Sequence, residues 1–240
     1  ISKLRRSNEI GLRSNRIGDG NAQTTVFNLD PLVLLFRSGK QHDITACNHH
    51  LIDLGATMPV ALINNDTTVK LELPKSQASA EIRLFGATVT SWKAAGGSER
   101  LFLSSKAALD GSAAIRGGIP LVFPVFGAPK HHADAPEVIQ KLGKHGFARD
   151  HDWAVSTTIP NVDEEGKVSA TLELRTDDKP EIKAVWPFET VLQYTVTLVP
   201  HALKCEFKVN YVDGQGEMPF HALLHNYFLV PDSTKASVQG

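Results

Sequence analysis

Much of the chain is written in a two-residue period. Val69 to Leu73 reads Val-Lys-Leu-Glu-Leu, apolar and polar in turn, and Pro74 closes the run. Glu81 to Trp92 continues with Ile82, Leu84, Val89 and Trp92, broken at Gly86, where a turn or bulge is expected. Val168 to Leu174 alternates again, and so does Thr190 to Leu198. The clearest run is Leu203 to Tyr211: Leu203, Cys205, Phe207, Val209 and Tyr211 fall on one face, with Lys204, Glu206, Lys208 and Asn210 on the other. Successive side chains of a strand point to opposite faces, so each run predicts a strand with one buried and one wet side. Turn formers such as Gly96-Gly97-Ser98, Asp163-Glu164-Glu165-Gly166 and Asp213-Gly214-Gln215-Gly216 separate the runs. Helical spacing is confined to short pieces around Ser105–Leu109 and Pro180–Trp186. Many strands with close turns predict an all-β fold, an antiparallel sandwich or barrel, without a solenoid or propeller repeat.

Residues 1–57 lack this period. They hold 7 Lys+Arg against 5 Asp+Glu, and the chain begins with Ile1. Met58-Pro59 reads as a natural start, 58–240 as the folded domain, and 1–57 as a disordered or non-native extension. Two readings compete: a transit peptide in the Arg- and Ser-rich opening, and an edge strand at Pro31–Phe36.

Composition narrows the classes. The 240 residues are 42% hydrophobic and 21% charged, enough for a sizeable core without disulfides or metals. Net charge is -1, which excludes the global basic field of nonspecific nucleic-acid binding. The apolar run Pro31–Phe36 is too short to span a bilayer or serve as a secretory core, so no membrane partner is expected. Two cysteines, Cys47 and Cys205, exclude a disulfide scaffold and a Cys-based zinc site, and fit a cytoplasmic protein. His49-His50 and His131-His132 are adjacent pairs whose members would point apart on a strand, so both are expected as solvated loop histidines rather than metal ligands. Phosphate-loop, dinucleotide, nucleophile-elbow and His-Glu-x-x-His motifs are absent.

Three segments carry chemistry. In Ile115–Gly127, Arg116 leads into Gly117-Gly118, which admit close backbone approach to a ligand. The apolar arm that follows is broken by Pro120 and Pro124 and is no regular central strand. In Lys144–Arg149, two cations and the His145 ring fall within six residues around Gly146. That is either a surface charge cluster or a site for an anionic, oxygen-rich ligand, to which arginine is suited. In Phe220–Phe228, a regular strand would put His221, Leu223, His225 and Tyr227 on one face. A histidine in so apolar a segment is either a bonded core residue or a tuned proton donor.

Arg-Gly-Gly-Ile-Pro-Leu-Val-Phe-Pro-Val-Phe-Gly at 116–127, His-Gly-Phe-Ala-Arg at 145–149 and Leu-His-Asn-Tyr-Phe at 224–228 together resemble the glucose-6-phosphate 1-epimerase (hexose-6-phosphate mutarotase) family. Phe85-Gly86-Ala87-Thr88-Val89-Thr90-Ser91-Trp92 matches an early strand pair of that family, and the likeness runs from about Thr67 to Gly240. The resemblance implies a galactose-mutarotase-like β-supersandwich and interconversion of the α and β anomers of a hexose 6-phosphate. It implies that Arg116 and Arg149 bind substrate through its phosphate, that Lys144 stands where the family often has a substrate-contacting glutamine, that His145 lines the pocket, and that His225 is the catalytic acid. Proton transfers suffice for ring opening, so neither metal nor cofactor is expected, and the protein is expected to be a monomer.

One departure qualifies this. The family's basic glutamate and a substrate-contacting aspartate fall after the segment matched by Ser237–Gly240, so the domain is expected to be truncated at its C-terminus, to lack the base and to show little activity. A sugar-phosphate-binding module without turnover is therefore one alternative. A neutral-sugar aldose 1-epimerase, which would not need the Arg116/Arg149 pair, is another.

Overall fold

The computed structural model describes residues 58–158, 166–212 and 216–237, together with the backbone of 12–17, 24–29 and 32–35. The strands, in chain order, are β1 (Leu12–Ile17), β2 (Thr24–Leu29), β3 (Leu32–Leu35), β4 (Val60–Ile63), β5 (Thr68–Leu73), β6 (Ala78–Arg83) and β7 (Thr88–Lys93). They continue with β8 (Leu121–Val122), β9 (Ala154–Thr158), β10 (Val168–Arg175), β11 (Thr190–Val199), β12 (Ala202–Tyr211) and β13 (Leu223–Leu224). Two single-turn helices, α1 (Glu137–Gln140) and α2 (Pro180–Lys183), interrupt them.

All the pairings between named strands are antiparallel. One sheet runs β1-β2-β12-β11-β10-β9, and β3 shares the outer edge of β12 with β2. A second sheet runs β4-β5-β6-β7, and β8 and β13 form a separate ribbon. β5 and β6 pack across β10 and β11, which makes the two larger sheets a sandwich. The β12 alternation is realised in full: Leu203, Cys205, Phe207, Val209 and Tyr211 are buried, and Lys204, Glu206, Lys208 and Asn210 are half-buried. β10 alternates in the same way, from buried Val168 to half-buried Arg175.

Phe123 ties the irregular arm to this core. Its ring meets Phe147 and Trp186 at 5.7 Å, Phe207 at 6.0 Å and Phe220 at 5.3 Å between centroids. Full burial of such a ring contributes roughly 1.5–3 kcal/mol, and edge-to-face contacts add to it. The arm that leaves Arg116 is therefore anchored on the sandwich rather than draped over it.

Several expectations need correction. Within 1–57 the backbone of 12–17, 24–29 and 32–35 is extended: β1 pairs with β2, and β2 and β3 pair with β12, β3 falling within Pro31–Phe36. The rest of 1–57, including Cys47 and His49-His50, lies outside the described residues. Ser105–Leu109 is a turn at Ser105 and Lys106 followed by irregular chain, not a helix, while Pro180–Lys183 is helical as expected. Phe220–Phe228 is a regular strand only at Leu223–Leu224. Strand β9 and helix α1 carried no clear period in the sequence.

Candidate functional site

The site begins with how the irregular segments are held. In the ribbon, Leu223 pairs with Val122 and Leu224 with Leu121. The pairing continues beyond those residues through single bonds: the His225 N–H donates to Pro120 O at 2.9 Å, that of Tyr227 to Gly118 O at 2.9 Å, and that of His221 to Pro124 O at 2.8 Å. Both prolines serve as acceptors only, which a residue without an N–H can do at no loss. Pro120 and Pro124 thus sit inside a ladder that their missing donors would otherwise break.

The motif glycines approach protein backbone, not a ligand. A Cβ on Gly118 would lie 2.1 Å from Val89 O, one on Gly86 2.5 Å from Arg149 O, and one on Gly146 2.1 Å from Phe123 O. These contacts close a ring, in which the Phe85–Trp92 segment touches the Arg149 turn, that turn touches the arm, and the arm touches Val89. The glycine positions are what let three distant segments meet.

That meeting places His145. The residue and its neighbour Gly146 are both left-handed, at φ of 69° and 70°. Its N–H donates to Gly127 O at 2.9 Å, and the Gly127 N–H donates back to His145 Nδ1 at 3.1 Å. An amide donates and never accepts, so Nδ1 is unprotonated and the ring proton sits on Nε2. Burial, then the charges of Arg149, Lys144 and His225, push the His145 pKa down from 6.5 to about 4. At neutral pH His145 is an uncharged ring that donates from Nε2.

His225 stands beside it. The two imidazoles meet edge to face, 6.0 Å between centroids at 81°, and His225 stacks on Tyr227 at 4.8 Å and 24°. His225 is half-buried, and among the described residues no carboxylate pairs with it or with His145. Arg149 reaches across its own loop: Nη2 donates to Lys144 O at 2.9 Å, and Nε lies 3.7 Å from Asp150 Oδ1. One edge of the guanidinium thus braces the loop. Lys144 is exposed, and so is Arg116, which heads the anchored arm. The structure groups Lys144, His145, Arg149 and His225; Arg116 joins them only through the backbone pairing of its arm.

Two clefts, one lined by Asp177, Lys183, Trp186 and Phe188 and the other by Arg83, Phe85, Asp110 and Asp152, contain none of these five residues. Both histidines, His145 and His225, are half-buried. Among the described residues no cluster of histidine, cysteine and carboxylate groups has metal-site geometry. Reasoning from sequence missed the bond that His132, a half-buried loop histidine, makes with Nε2 2.6 Å from Phe126 O. Its ring lies 4.9 Å from that of His221, which was noted only as a face-mate of His225.

The sequence pattern of the family described as Aldose 1-epimerase matches residues 69–240. The chain belongs to the aldose 1-epimerase family. It is 34% identical over 164 residues to a protein of Cenchrus ciliaris and 35% over 167 residues to one of Escherichia coli K12, both named "Putative glucose-6-phosphate 1-epimerase". These matches take in 67% and 68% of this chain but 46% and 49% of the relatives, so the chain spans about half their length. Among solved structures it is similar to the Slr1438 protein of Synechocystis sp. PCC 6803, with TM-score 0.57 and 26% identity over 74% of this chain and 58% of that one. A "putative mutarotase" of Salmonella typhimurium gives TM-score 0.54 and 29% identity over 73% and 56%. The fold is thus galactose mutarotase-like, as expected. All five candidate residues of this aldose 1-epimerase family chain lie inside the matched span, and no helix among the described residues is long and apolar enough to cross a membrane.

Proposed function

We propose that the His145–His225 surface binds a hexose 6-phosphate and that the chain's chemistry is exchange of the α and β anomers. His225 delivers a proton to the ring oxygen as the C1–O bond breaks, while a base removes the proton of the anomeric hydroxyl and C1 becomes an aldehyde. Rotation about C1–C2 and the reverse transfers give the other anomer. His145, neutral and fixed through Nδ1, offers its Nε2–H to a sugar oxygen. Arg116, Lys144 and Arg149 hold the phosphate, a group that does not react and therefore serves registry and selection. Such proton transfers need neither metal nor cofactor, and on this reading the protein is a cytoplasmic monomer.

The observation that carries the proposal is the edge-to-face pair of histidines within a cluster of cations, in a chain of this family. A second reading has its own support: with no carboxylate on His225 among the described residues, the surface would bind sugar phosphate without turnover. Exchange NMR on glucose 6-phosphate, run beside calorimetry, separates them. Binding with anomer exchange supports the mutarotase, binding alone supports the binding module, and absence of both defeats each. Glucose in place of glucose 6-phosphate tests the neutral-sugar alternative.

A further inference from the structure

Three histidines converge on the backbone of one turn, Phe126–Gly127. His221 Nδ1 accepts the Phe126 N–H at 3.3 Å, His145 Nδ1 accepts the Gly127 N–H at 3.1 Å, and His132 Nε2 donates to the Phe126 carbonyl at 2.6 Å. They come from three separate segments, and His221 is itself fixed by its N–H to Pro124 O at 2.8 Å. The Phe126 ring, 45% exposed, stands 5.4 Å from that of His145. An exposed apolar ring held this firmly beside a candidate substrate group asks for a role.

We propose that His221 and His132 are positioning residues: they fix the Phe126–Gly127 turn, and through its Gly127 amide and Phe126 ring they set the orientation of His145. The consequence for sugar binding rests on the function proposed above; the fastening of the turn does not. Donor and acceptor chemistry dictates the states. Amides only donate, so His221 and His145 hold the turn while Nδ1 is bare; the carbonyl only accepts, so His132 carries a proton on Nε2 in either charge state.

Burial first, and neighbouring charge second, keep the two acceptors in that state. His132 faces His221, and a cation on either ring opposes one on the other; burial first, then His132, lowers the His221 pKa. Lys144, Arg149 and His225 face His145. Gln140 of α1 donates from Nε2 to the His132 carbonyl, which holds that residue from behind. Protonating His221 or His145 turns an acceptor into a donor aimed at an amide N–H, so the turn is released in acid.

The test uses the 15N-labelled full chain as it stands, with the Phe126 and Gly127 amides and the imidazole nitrogens followed by NMR over about pH 4 to 8. His221→Asn presents an oxygen where Nδ1 stood but does not titrate; His221→Leu removes the acceptor. The proposal expects a bare Nδ1 on His221 at neutral pH and an acid-side shift of the Phe126 amide that vanishes in His221→Asn. It also expects His221→Leu to displace the Gly127 amide and weaken glucose 6-phosphate binding about three- to tenfold, with Asn restoring both. Nδ1 protonated at neutral pH, a Phe126 shift that persists in the Asn variant, or a Leu variant identical to the native chain at Gly127 overturns it. If the Leu variant fails to fold, the first two readouts still decide. If the amides behave as expected but glucose 6-phosphate does not bind the native chain, the sugar reading falls and the fastened turn stands.

Discussion

Replacing Gly146 with alanine tests the claim that backbone-to-backbone contact builds the site. At φ of +70° an alanine pays about 1–2 kcal/mol for the left-handed conformation alone. Its Cβ would also lie 2.1 Å from Phe123 O, 2.4 Å from Phe123 C and 2.5 Å from Pro124 N, all main-chain atoms that no rotamer change can clear. Overpacking of this kind costs about 1–3 kcal/mol, so the total is roughly 2–5 kcal/mol, a large part of a typical domain's stability. Gly97 supplies the control: its φ is +75°, yet nothing lies within 4 Å of the position a Cβ would take. Gly97→Ala should therefore cost only the conformational term, about 1–2 kcal/mol. Urea unfolding can be followed by the fluorescence of Trp92, Trp153 and Trp186, all buried. The reasoning is refuted if the two substitutions destabilise equally, because conformational strain would then be the whole effect.

Two further outcomes follow from side-chain geometry. Glu99 accepts from Ser91 Oγ at 2.5 Å and from the amides of Trp92, Arg100 and Leu101 at 2.9, 3.0 and 3.0 Å, so Glu99→Ala should lower stability by about 1.5–3 kcal/mol in the same unfolding assay, and a change under about 0.5 kcal/mol would contradict it. For His145 the native pKa of about 4 lies below the ordinary 6.5, so on acidification the unfolded chain binds a proton before the native one does. Its contribution is complete above about pH 6.5 and is lost as the pH falls toward 4, and the lowered His221 acts in the same direction. His145→Asn, whose side chain tolerates a left-handed backbone, should flatten the loss of stability between pH 7 and 5; an unchanged slope would count against the assigned burial.

Much of the sandwich was legible because a strand with one buried face writes its period into the sequence. β5, β10, β11 and β12 all showed it, and Gly86 marked the turn between β6 and β7. The ribbon of β8 and β13 was hidden because Pro120 and Pro124 look like breaks unless the partner supplies every donor, and the partner lies 100 residues away. β1, β2 and β3 have no comparable alternation; β2 and β3 are placed by the edge of β12, and β1 by β2. The candidate site was half legible. Lys144, His145 and Arg149 lie together in the chain, whereas the approach of His225 depends on the ribbon register. The glycines were recognised as points of close approach, but what they approach is set by contacts between residues 86 and 149, 118 and 89, and 146 and 123. The contact of His132 was hidden because its partner is a carbonyl six residues back along the loop, Phe126 O, and adjacency to His131 says nothing of that.

The central claim is that the surface shared by His145 and His225 takes a phosphorylated hexose. Its most direct test is an NMR titration of the histidine ring carbons with glucose 6-phosphate, glucose and inorganic phosphate, in the native chain and in Arg116→Ala. The account predicts that the His145 and His225 signals move together and saturate with glucose 6-phosphate, move far less with glucose, and need a higher glucose 6-phosphate concentration in Arg116→Ala. Signals from both rings that stay fixed while glucose 6-phosphate is added would contradict it.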